Sequence, residues 1–192
     1  MQLQAHYGKN TGTLPGTAYL SCCYCRQVLI RLSRLRACMA RVAVGGTFDP
    51  IHDGHISLLR RAFELGDEGE VVIGLTSDEM AKESRSRDVK GFEIREKNLR
   101  SVLLKCFGIK HANIIKIDDQ CGPSIYEDFD YIVVSPETLP MAEKINRLRA
   151  KKNLKLLQIS VIEYLLAQDH VRISSTRITQ GKIDKHGRVL IG

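Results

Sequence analysis

The chain contains no tryptophan, and aromatic residues make up only 6% of its 192 positions. Long apolar runs are missing as well: Val71–Ile73 and Tyr131–Val134 are typical, against the ~20 residues that a membrane-spanning helix needs. A membrane span is thereby excluded. Acidic residues are absent from residues 1–38, which carry Lys9, Arg26, Arg31, Arg34 and Arg36. The net charge of +7 therefore resides mostly there, because the remaining 24 basic residues face 22 acidic ones. A near-neutral body carries no basic footprint for nucleic acid, and no nucleic-acid partner is expected. Neither G-x-x-x-x-G-K-[ST] nor G-x-G-x-x-G occurs, which removes a P-loop and a dinucleotide fingerprint. The cysteines form no disulfide framework, so a reducing, cytoplasmic setting is expected. The cluster Cys22-Cys23-Tyr24-Cys25 lacks a second Cys/His pair at zinc-finger spacing.

What is present is an apolar fraction of 43%, sufficient for one core of ordinary size. Residues 1–38 read as an extension outside that core. Their Arg-rich stretch Leu29–Arg36 has transit-peptide composition, while Met39, directly before a β-branched run, offers an alternative translation start. Residues 39–192 form the domain. Val42–Val44, Glu70–Leu75, Asn113–Ile117, Tyr131–Ser135 and Leu156–Ile162 read as strands. Helical spacing follows in Ile56, Leu59, Ala62, Phe63 and Leu65, with Gly66 as a stop, and again in Glu93–Phe107 and Met141–Lys151. Residues from Asp78 to the second helix read as a charged loop. Alternating strands and helices predict an α/β fold with a doubly wound parallel sheet, Rossmann-like in architecture.

In such sheets ligands bind beyond the carboxyl ends of the strands. The first of those ends is Gly45-Gly46-Thr47-Phe48-Asp49-Pro50-Ile51-His52-Asp53-Gly54-His55. The paired glycines allow a tight turn and close approach of a ligand. His52 and His55 bring imidazole N–H groups to a helix start that already attracts anions. A single histidine there would read as a solvent-facing or capping residue. Two flanking a glycine point to a polyphosphate.

Gly46-Thr47-Phe48-Asp49-Pro50 with His52-x-Gly54-His55 resembles the signature of the nucleotidyltransferase superfamily that carries a (T/H)-x-G-H motif. Ile173-Ser174-Ser175-Thr176-Arg177-Ile178 resembles its second motif. The stretches Gly74–Lys82, Ile117-Asp118-Asp119 with Gly122-Pro123, and Val133–Thr138 with Ile145-Asn146 are similar to the archaeal and eukaryotic type of phosphopantetheine adenylyltransferase. The resemblance covers residues 40–192.

It implies transfer of the adenylyl group of ATP to 4′-phosphopantetheine by in-line attack, with no covalent enzyme intermediate, and Mg²⁺ held mainly by the ATP phosphates. It places Gly46, Thr47 and Phe48 beside ATP, Thr47 also meeting the acceptor phosphate. His52 and His55 fall on the triphosphate as catalytic groups, and Lys82 on the acceptor phosphate. Ser174, Ser175, Thr176 and Arg177 fall on the β- and γ-phosphates, Arg177 counted among the catalytic residues, with Asn146 a substrate contact. The alternatives are another phosphate acceptor, such as nicotinamide mononucleotide, or a catalytically idle nucleotide-binding module.

Overall fold

The computed structural model describes residues 39–67, 69–84, 87–109 and 111–190. The expectations for residues 1–38 lie outside them. Five strands, β1 (Arg41–Gly46), β2 (Glu70–Thr76), β3 (Asn113–Ile117), β4 (Tyr131–Val134) and β5 (Gln158–Val161), form one parallel sheet in the order β3-β2-β1-β4-β5. The order reverses between β1 and β4, which opens a crevice beyond their carboxyl ends. The helices are α1 (Asp53–Gly66), α2 (Asp78–Ser84), α3 (Phe92–Phe107), α4 (Leu139–Lys151) and α5 (Ser175–Thr179), with a 3₁₀ turn at Gly122–Ile125.

Strand alternation sorts the side chains into two layers. Val42, Val44, Ile73 and Leu75 face α1 and α3, where they meet Leu58, Leu59, Ala62, Leu99 and Leu103. Ala43, Val72, Ile132 and Val134 face α4 through Ala142 and Ile145. Full burial of each Leu or Ile contributes about 1.5–3 kcal/mol, so these two clusters hold the sheet between its helices. No described helix is long and apolar enough to cross a membrane.

Several boundaries differ from the periodicity. α1 starts at Asp53, before its first apolar residue, because the turn at His52 already supplies carbonyls for the helix. The charged stretch after β2 contains a helix, α2, fixed by Ala81, which is 1% exposed. Beyond β5 lies a small satellite core of Ala167, Ile173 and Ile183, tied by the antiparallel bridges Leu166–Arg172 and Ile183–Val189. That unit carries α5.

Candidate active site

The turn from β1 into α1 is shaped by what its glycines leave out. His52 occupies the N-cap of α1 in extended conformation, yet its side chain makes no capping bond. Its carbonyl accepts instead from the backbone N–H groups of His55 (2.8 Å) and Ile56 (3.1 Å). The released imidazole folds back over the helix start and stacks on His55, with ring centroids 3.9 Å apart and planes 28° apart. A Cβ on residue 54 would stand 3.0 Å from both Cε1 and Nδ1 of His52, so any larger residue there would push the His52 ring from its stacked position by a few tenths of an ångström. The His55 ring in turn meets Phe48 at 5.1 Å.

Burial sets the chemistry of the pair. His52 is 8% exposed, and its Nδ1 is buried with no hydrogen-bond partner among the described residues. Burial, reinforced by the nearby Arg87 charge and opposed by Asp53, lowers its pKa to about 4. At neutral pH His52 is therefore an uncharged imidazole, with one N–H to donate and one lone pair.

Phe48 sits at positive φ (50°), and its side chain is buried against the position of Gly46. It supplies the floor of the turn, leaving its backbone as the part a ligand could meet. Thr47 lies at the carboxyl end of β1 and accepts a hydroxyl bond from Thr76 at 3.3 Å. Beneath them lies a residue that the sequence reading did not single out. Arg95 is completely buried and donates to the carbonyls of Lys90 (2.7 Å) and Thr47 (3.3 Å), to Thr76 Oγ1 (3.2 Å), and to the Asp78 carboxylate (2.7 Å). One guanidinium thus ties the ends of β1 and β2 together and holds Asp78 well below the usual carboxylate range. Asp49 is a second missed group. Its carboxylate accepts from Lys90 N–H (3.0 Å) and stands 3.8 Å from the Arg87 guanidinium, which also donates to the Asp49 carbonyl.

The second motif arrives from the far end of the chain. Ser174 caps α5, its side chain accepting from the Arg177 N–H at 3.4 Å. Ser175 Oγ donates to the Pro50 carbonyl at 3.1 Å, a contact between residues 125 apart in sequence. The backbone N–H of Asp53 donates to the Lys185 carbonyl at 3.1 Å. The hydroxyl cluster is therefore docked on the loop that carries the imidazoles, with Thr176 exposed beside it.

Three expected site residues stand differently. Arg177 donates to the carbonyls of Val171 and Arg172, each at 3.1 Å, and to the Asp169 carboxylate, so its guanidinium binds the turn before α5. The Asn146 amide donates to the Leu157 carbonyl and its oxygen accepts from the Leu157 N–H, both at 2.9 Å. It joins α4 to the segment before β5 and is not among the residues that line the cavity described below. Lys82 is exposed in the last turn of α2, whereas the neighbouring Met80 lines a cavity.

That cavity has a volume of about 420 Å³ and runs from Gly45–Thr47 to the 120–124 segment and α4. Its origin is plain from the strand register. Gly45 and Gly74 are paired at the carboxyl ends of β1 and β2, on the layer that faces α4, and neither sends a side chain into the space. Ile115, Ile117, Pro123 and Met141 give it largely apolar walls. It adjoins Thr47 and is of a size that suits a small organic ligand.

Comparison with known proteins adds to this geometry. The cytidylyltransferase-like family profile matches residues 43–181. The chain is 49% identical over 153 residues to a phosphopantetheine adenylyltransferase of Methanosarcina mazei, a match that covers 79% of this chain and 97% of that protein. It is 51% identical to the protein of the same name from Methanosarcina barkeri, covering 79% and 93%. Among solved structures, a protein of unknown function from Archaeoglobus fulgidus superposes with a TM-score of 0.60 at 39% identity, covering 64% of this chain and 88% of that one.

Proposed function

Since the chain belongs to the phosphopantetheine adenylyltransferases, within the cytidylyltransferase-like family, we propose that it joins ATP to 4′-phosphopantetheine, yielding dephospho-coenzyme A and pyrophosphate. An oxygen of the acceptor phosphate attacks the α-phosphorus of ATP in line. A new P–O–P linkage forms, the bond between the α-phosphorus and the bridging oxygen breaks, and pyrophosphate leaves with that electron pair. The attacking oxygen is already an anion at neutral pH, so no side-chain nucleophile is needed. The protein's part is to align the reactants and to stabilise charge building on the leaving phosphates.

The observation that carries this reading is the Ser175–Pro50 contact, which gathers imidazoles and hydroxyls around one helix start. A neutral His52 donates a hydrogen bond without the cost of burying a charge before substrate arrives. His55, stacked on it beside Phe48, stabilises the developing charge. Ser174, Ser175 and Thr176 serve the β- and γ-phosphates. Arg177 acts through the turn it holds, and Lys82 neutralises the incoming phosphate from the end of α2. The apolar cavity beside Thr47 receives the pantetheine arm, whose length and dimethyl group suit its walls.

Mg²⁺ fits as a companion of ATP. The donors gathered here are imidazole and hydroxyl groups suited to anions, and among the described residues no three His, Cys, Asp or Glu side chains form a metal-holding group. The ion would enter on the phosphates and share their charge. We place the reaction in the cytoplasm, in keeping with the free thiols of Cys106 and Cys121.

The test is pyrophosphate release from ATP and Mg²⁺ across a panel of acceptors: 4′-phosphopantetheine, nicotinamide mononucleotide and glycerol phosphate. Turnover with the first is expected. Turnover with another acceptor alone would reassign the substrate, and binding of ATP with no turnover on any would favour an idle nucleotide-binding module.

A further inference from the structure

The α1 start presents a difficulty for a polyphosphate. Asp53, between the imidazoles in sequence, puts a carboxylate on the first turn of the helix that should receive the anion. An acidic residue there favours the helix dipole, but it repels a ligand carrying several negative charges. The structure answers this with the turn 183–189. His186 Nδ1 lies 3.1 Å from each oxygen of the Asp53 carboxylate. Facing two carboxylate oxygens, that nitrogen carries the proton and donates. In the same turn the Lys185 carbonyl accepts the Asp53 N–H at 3.1 Å.

The turn is rigidly built. Asp184 Oδ1 accepts from the backbone N–H groups of His186 (2.8 Å) and Arg188 (2.9 Å). Ile183 is fully buried in the satellite core with Ala167 and Ile173. Gly187 adopts a φ of +78°, where a Cβ would come within 2.8 Å of Ile173. Ser174–Thr176 rest on this same core through Ile173 and Ile178. A single rigid unit therefore supplies both the hydroxyls and the group that covers Asp53.

We propose that His186 is a positioning residue of the anion site, masking the Asp53 carboxylate so that the ATP phosphates can approach the α1 start. This rests on the ATP-dependent reading above and extends it to a segment outside both motifs. His186 touches no substrate; it acts through Asp53.

The experiment uses the full chain and measures ATP affinity by titration calorimetry, together with kcat and the KM values for ATP and 4′-phosphopantetheine. His186→Ala should weaken ATP binding by about three- to tenfold, with the KM for 4′-phosphopantetheine within about twofold of wild type. His186→Asn, which retains a donor, should lie close to wild type. Adding Asp53→Asn to His186→Ala should restore ATP affinity, because the charge that needed masking is gone. Unchanged affinity in His186→Ala overturns the proposal. So does failure of Asp53→Asn to rescue, which would mean that the alanine variant only loosened the turn. If the wild type binds ATP without using 4′-phosphopantetheine, the substrate reading fails, and the calorimetric comparison still decides the role of His186.

Discussion

Gly54→Ala isolates the stacked imidazoles. The added methyl would sit 3.0 Å from Cε1 and Nδ1 of His52, several tenths of an ångström inside normal contact. The ring has little room to retreat, because one face is stacked on His55 at 3.9 Å and the site is buried. Relief requires tilting His52 off the stack or shifting the first turn of α1. Crowding of this kind costs about 1–3 kcal/mol, and replacing a helical glycine with alanine returns about 1 kcal/mol. Net stability should therefore fall by no more than about 2 kcal/mol, leaving the protein folded. Catalysis should suffer far more, since displacing an aligned group by about 1 Å can cost on the order of a hundredfold in rate. Thermal melts paired with pyrophosphate-release kinetics provide the assay. A folded Gly54→Ala enzyme with wild-type kcat would refute the claim that the stacked geometry is the working one.

Other expectations follow from the same contacts. Arg95→Met removes a buried guanidinium that satisfies two carbonyls and a carboxylate; by urea denaturation it should destabilise by about 3–5 kcal/mol, and kcat should drop in whatever fraction folds. Arg149→Met removes comparable bonds, to the carbonyls of Lys155, Ser124 and Glu127, and Ser124 belongs to the segment that walls the cavity. It should destabilise and raise the KM for 4′-phosphopantetheine, while leaving the KM for ATP of the folded enzyme unchanged. His52, neutral in the fold with a pKa near 4 against an ordinary 6.5, binds fewer protons folded than unfolded between those values. Its contribution is intact above about pH 6.5 and is lost as pH falls toward 4, by about 2–3 kcal/mol. The wild type should therefore lose more stability than His52→Asn between pH 7 and 4.5, and equal losses would contradict a buried neutral imidazole. Ser175→Ala removes the bond to the Pro50 carbonyl and should raise the KM for ATP severalfold in steady-state kinetics, with a smaller effect on the acceptor.

The strands were legible because each is a short β-branched run bounded by glycine or charge, and the parallel, doubly wound sheet followed from the alternation with helices, whereas the strand order did not. α2 was not legible: Asp78–Ser84 is mostly charged, and one buried alanine is too little periodicity to mark a helix. The imidazole pair could be read from residue type and spacing, and the hydroxyl cluster through its resemblance to a second family motif. Their partners could not, because Asp49, Arg87 and His186 meet the site through contacts that no local pattern encodes. The buried arginines did leave a signal. Arg95 heads the stripe Leu99–Leu103 at four-residue spacing, and Arg149 closes the stripe Ala142–Ile145. An arginine on the apolar face of an amphipathic helix marks a guanidinium that must find carbonyls inside the fold. Asn146 is ambiguous for a related reason, since an amide on a half-buried helix face serves equally well to hold a neighbouring backbone or to meet a ligand.

Whether two segments far apart in sequence hold one triphosphate is decided by a crystal structure with a non-hydrolysable ATP analogue. The phosphates are expected between the His52–His55 pair and the Ser174–Thr176 hydroxyls, with hydrogen bonds to both. Phosphates bound elsewhere on the domain, or touching one motif and not the other, would contradict that arrangement.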